Sequence, residues 1–164
     1  MREMIYGPTL ATDNDIYLFR ERTHRRIYTF LGAHVVEHER ESGTLFAVWA
    51  PCARGVSVIG NFNSWNKDSH RLAPRWDSSG IWEGFIPGVG AGEIYKYAIT
   101  TETGAVLGKC DPLAFFCETP PATAAVVCGA PSYKWGDAEW MAGRAAKNSP
   151  DGPQAIYEPH ARSG

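Results

Sequence analysis

The hydrophobic positions of this chain change period twice. In the first stretch they recur at helical spacing: Ile27, Phe30 and Leu31 fall at i, i+3 and i+4, Thr23 suits an N-cap and Gly32 suits C′. This predicts a short helix over 24–31. From residue 44 the period becomes two. Residues 44–50 read as a strand stopped by Pro51, and 55–60 as a second with Val56 and Val58 on one face. Residues 81–86 form a third, ending at Pro87 and Gly88. In 93–100, Ile94, Tyr95 and Lys96 divide between two faces, Thr103 and Gly104 mark a turn, and 124–128 is the last strand. Beyond Pro131 the spacing is helical again, with Asp137 placed to cap a helix over 138–146.

Short strands parted by Gly, Pro and Asn turns about every ten residues define an all-β fold, an immunoglobulin-like antiparallel β-sandwich with short flanking helices. The expected organisation is an N-terminal arm with a short helix over 1–34, the sandwich over 35–130, and a helix and linker over 131–164. Residues 1–13 are polar and turn-prone and are expected to be loosely ordered. A fresh apolar start at 155–157 runs out at Gly164, so the chain reads as truncated.

Composition narrows the function. The 164 residues are 44% hydrophobic and 21% charged, the balance of a globular protein that buries its own core. Net charge is −2, and the densest basic spot (Arg20, Arg22, Arg25, Arg26) is interleaved with Glu21, which argues against nucleic acid as a partner. No apolar run approaches the ~20 residues of a membrane span, and no leader is visible, so a cytoplasmic protein is expected. Cys52, Cys110, Cys117 and Cys128 form no Cys-x-x-Cys unit, and the His spacings are unrelated, so neither a metal nor a cofactor is expected. Cys110 and Cys117 can pair under oxidising conditions, whereas free thiols are expected in the cytosol. Aromatic residues reach 12%, with six Trp, which suits both a sandwich core and a sugar-stacking surface.

The strongest local signal is Gly60-Asn-Phe-Asn-Ser-Trp-Asn66, directly after a strand, where Asn side chains take turn conformations and cap backbone groups. Phe62 is expected to point inward and Trp65 to stay on the loop. The run Phe46-Ala-Val-Trp-Ala-Pro51, then Val56-Ser-Val58, then Gly60 to Trp65, resembles the glucan-binding module shared by branching enzymes, isoamylases and kinase β-subunits. Leu31-Gly-Ala-His34, Asp111-Pro112, Pro121-Ala-Thr-Ala-Ala-Val-Val127 and Ile156-Tyr-Glu158 are similar to branching-enzyme segments in particular. Arg22, Asn61 and the stretch after Glu158 depart from that pattern.

That resemblance implies a non-catalytic N-terminal module of a 1,4-α-glucan branching enzyme, partnered by its own catalytic barrel and, weakly, by α-1,4-glucan. The alternatives are a stand-alone glucan-binding or regulatory module, or the N-terminal module of an isoamylase-type debranching enzyme. The family's retaining chemistry needs two carboxylates on a barrel of ~250 residues, and no Asp or Glu here falls in such a motif. Glu83 and Glu93 are expected as exposed alternation partners. The resemblance places sugar contacts at Trp65, Lys96 and Asn63, while the turn Gly104 to Gly108 lacks the family's second stacking Trp.

Overall fold

A computed structural model describes residues 3–129, 134–149 and 151–152. The chain divides into two compact units, Met1–Pro131 and Ser132–Gly164. Among the described residues the first holds one α-helix, α1 (Asp13–Arg20), and nine strands: β1 (Gly32–His38), β2 (Glu41–Trp49), β3 (Gly55–Gly60), β4 (Ala73–Pro74), β5 (Ile81–Pro87), β6 (Ile94–Thr100), β7 (Val106–Lys109), β8 (Phe116–Cys117) and β9 (Ala125–Val126). The second holds α2 (Ala138–Lys147). The apolar start expected at 155–157 lies outside the described residues.

The strands form two antiparallel sheets, ordered β1-β2-β5-β4 and β3-β6-β9-β8, with β7 also on β6. Alternation sends Phe46 and Val48 of one sheet against Val56, Val58, Tyr95 and Tyr97 of the other, and these close the main core. The result is the all-β sandwich that the period-two pattern predicts. β2 is buried over six consecutive residues rather than alternately. The cause is a second cluster on the far side of its sheet, where Ile16, Phe30 and Leu31 cover Ala47 and Ile81.

The N-terminal third departs from expectation. Residues 24–31 do not form a helix; only a 3₁₀ turn, Ile27–Thr29, is present. The stretch is rich in His, aromatic and β-branched residues, which are weak helix formers, and its apolar stripe serves the second cluster instead. Thr23 bonds back to the Leu18 carbonyl, and Gly32 opens β1 at φ +106°. The helix lies upstream, set by a capping box between Thr12 and Asp15. Thr12 first, then His24 at 2.8 Å, hold the Asp15 carboxyl down to about 2.

Residues expected to be loose are pinned as well. Ile5 exchanges both backbone bonds with Phe85, at 2.8 and 2.9 Å, and Thr9 Oγ1 donates to Glu83 at 3.0 Å. Glu83, expected to be solvated, accepts from Arg75 at 2.8 Å with both side chains largely covered, and burial pushes its carboxyl up. In the second unit α2 occupies the predicted residues, although the Asp137 side chain makes no cap bond.

Candidate functional site

The loop after β3 is organised from below by Asn63. Gly60 is extended, and any side chain there would strike the Ile94 carbonyl, so the strand can leave the sheet only through glycine. The Gly60 N–H donates to Asn63 Oδ1 at 2.9 Å. Asn63 Nδ2 lies 2.8 Å from the Val58 carbonyl, 3.1 Å from Ser69 Oγ and 3.0 Å from His70 Nδ1. Asn63 is 5% exposed, so its amide is committed to the loop and presents no free donor to a sugar. Its place among the expected sugar contacts is therefore that of a support rather than a contact. Phe62 packs on the main core, as its position predicts.

Ser64 and Trp65 follow in the left-handed region, at φ 53° and 58°. That conformation costs ordinary residues about 1 kcal/mol each and needs outside support. Here the Trp65 N–H donates to the Gly60 carbonyl at 2.9 Å, and its indole Nε1 donates to Asn61 Oδ1 at 3.0 Å. The ring is thus fixed by both ends while the residue stays 40% exposed. A flat, preoriented aromatic is the surface on which pyranose C–H faces stack.

Lys96 is on β6, opposite Ile59 of β3, one register pair from Gly60 where the Trp65 loop begins. Its ammonium donates to Thr123 Oγ1 at 2.7 Å, which orients it beside an exposed hydroxyl. Its chain neighbours Tyr95 and Tyr97 point the other way, fully buried, and both hydroxyls donate to Asp111 Oδ2, at 2.6 and 3.3 Å. Burial and then the Asp111 charge push both phenols far above their usual range; burial also raises Asp111 itself, against the pull of its hydrogen bonds. A trough of about 350 Å³, lined by neither Lys96 nor Trp65, runs over Ser57, Ala98 and Thr100, flanked by Lys67, Arg71 and Val106. Val106, 41% exposed, opens β7 within the stretch 104–108 where the resemblance expects a second aromatic.

The fold therefore places Lys96 on the strand that pairs with β3 and Trp65 on the loop that leaves β3 at Gly60, with Asn63 buried in that loop. Sequence reasoning missed Thr123 and Asp111 as parts of this arrangement. Both fall in segments that carry the family resemblance, but their contacts with β6 span 27 and 14 to 16 residues. Among the described residues no group of His, Cys, Asp and Glu could hold a metal ion, and no helix is long and apolar enough to cross a membrane.

Comparison with known proteins gives this arrangement a family. The pattern of carbohydrate-binding module 48, the isoamylase N-terminal domain, matches residues 30–114. The 1,4-alpha-glucan branching enzyme GlgB of Aromatoleum aromaticum is 50% identical over 149 residues, which are 91% of this chain and 23% of that protein. GlgB of Pseudomonas aeruginosa is 46% identical over 158 residues, 96% of this chain and 21% of that protein. The chain thus spans about a fifth of the length of the curated relatives it matches. Among solved structures, pullulanase type I from Bacillus subtilis str. 168 complexed with maltose shares the fold, with a TM-score of 0.50 and 22% identity over 64% of this chain and 14% of that one. With the family pattern running from Phe30 through the sandwich to Ala114, this chain belongs to the carbohydrate-binding module 48 family.

Proposed function

We propose that the chain is the non-catalytic N-terminal module of a bacterial 1,4-α-glucan branching enzyme, acting in the cytoplasm in glycogen synthesis, and that its Trp65–Lys96 face takes an α-glucan strand. The observation that carries the sugar reading is the exposed Trp65 ring, clamped in a left-handed turn on the loop that leaves β3, the strand paired with that of Lys96. Trp65 stacks on a glucose face, Lys96 and Thr123 bond its hydroxyls, and Asn63 holds the loop in place. Identity of 46–50% over nine-tenths of the chain supports the branching-enzyme parent. With a single stacking ring, affinity is weak, with Kd on the order of 1 mM.

The module's other partner in this reading is the catalytic barrel of its parent. Leu10, Tyr28 and Phe115, all exposed around an apolar groove of about 590 Å³, offer the face for it. Chemistry belongs to that barrel. Incubated with amylose, this chain leaves the iodine stain unchanged, and a falling stain refutes the non-catalytic assignment. Titration with β-cyclodextrin quenches or shifts Trp fluorescence in the millimolar range, and a flat titration to saturation removes the sugar-binding assignment.

A further inference from the structure

Two thiols meet at a break in the second sheet. Along one edge β6 pairs with β3 from Tyr95 to Thr100, but its other edge is shared: β9 takes Ile94 and Tyr95, and β7 takes Tyr97 to Thr100. Lys96 sits at the junction between the two. Cys110 directly follows Lys109, the β7 residue opposite Tyr97, and Cys117 ends β8 opposite Ala125, the β9 residue that faces Tyr95. Their sulfurs are 3.8 Å apart, and both residues are exposed. The segment between them is anchored by buried Asp111, through Tyr95, Tyr97 and the Leu113 N–H at 2.8 Å, so the sheet itself holds the two cysteines close. A disulfide spans about 2.05 Å, so small side-chain rotations cover the difference. Cys52 and Cys128 make no such sulfur contact among the described residues.

We propose that Cys110 and Cys117 form a reversible dithiol–disulfide site, oxidised by a low-molecular-weight disulfide, whose closure bridges the gap in the sheet beside Lys96. One cysteine thiolate attacks a sulfur of the small disulfide and expels one thiolate, leaving a mixed disulfide on the protein. The second cysteine thiolate attacks the protein-side sulfur and expels the other. In total two protein thiols and one small disulfide become one protein disulfide and two small thiols; the protein loses two electrons, and its two protons pass to the expelled thiolates. The bond links the end of β7, which pairs with β6, to the end of β8, whose partner β9 pairs with β6 on the other side of Lys96. Reversibility fits a reducing compartment, where disulfides serve as transient sensors.

The test uses the full chain carrying Cys52→Ser, treated with oxidised glutathione and read by intact mass and peptide mapping. The expected product has lost two hydrogens, links the peptides of Cys110 and Cys117, and reverts with dithiothreitol. Adding Cys110→Ser should stop the reaction at one glutathione on Cys117. A parent protein that also stops at a glutathione adduct, or that keeps both thiols free, overturns the proposal. Amide NMR shifts at Lys96 and Thr123 should move on oxidation; unmoved shifts contradict the bridging of the gap. Any effect on sugar affinity rests on the functional reading above, whereas the mass result does not, so the two can fail separately.

Discussion

The two faces of β6 divide the labour of the molecule. On the inner face Tyr95 and Tyr97 are fully buried and share one carboxylate, Asp111. On the outer face Lys96 donates to Thr123, itself exposed. The period of two is responsible, because one strand cannot offer successive side chains to the same environment. Inner residues therefore set stability, and outer residues set what the surface can hold. The loop that carries Trp65 repeats the division on a smaller scale, with Asn63 buried below and the indole exposed above.

Substitutions should separate along that line. The largest effect belongs to Asp111→Ala, which strands two buried phenol hydroxyls and costs about 3 kcal/mol. Urea denaturation measures it, and the fraction still folded should keep its sugar affinity. Asn63→Ala crosses the boundary: loss of a buried amide costs about 2 kcal/mol and should also loosen Trp65, so denaturation midpoint and sugar binding fall together. A variant that loses stability but keeps affinity would show that the loop holds its shape without this amide. Trp65→Ala should weaken β-cyclodextrin binding about tenfold, as ~1–2 kcal/mol of stacking is removed, with the urea midpoint nearly unchanged. Val106→Trp restores a second aromatic and should tighten binding about fivefold, a gain of ~1 kcal/mol, in the same titration. Lys96→Ala is the smallest, a loss of about two- to fivefold in affinity, because an exposed hydrogen bond is worth only ~0.5–1 kcal/mol net.

What could be read from sequence follows the same physics. β3, β5 and β6 were legible because each has one face in the main core, which imprints alternation on its residues. β7 was not: its four residues are all exposed, and it exists as a strand because β6 offers it a ladder. The stripe Ile27, Phe30 and Leu31 misled because burial, not helix formation, spaced those residues. Within the candidate site, Trp65 and Lys96 were singled out through the resemblance. Asn61 and Asn63 are indistinguishable as residue types, and only the fold shows that one braces the indole from outside while the other lies buried beneath. Thr123 was hidden because hydrogen bonding to a residue 27 positions away leaves no local pattern.

The central claim is that the outer face of β6 and the Trp65 loop together hold an α-glucan. An amide NMR titration of the full chain with maltoheptaose, alongside Trp65→Ala, tests it most directly. The account predicts shift changes centred on Trp65, Lys96 and Thr123, saturating with Kd on the order of 1 mM, and about tenfold weaker in affinity in the variant. Shifts confined to other surfaces, or equally strong without the indole, would contradict it.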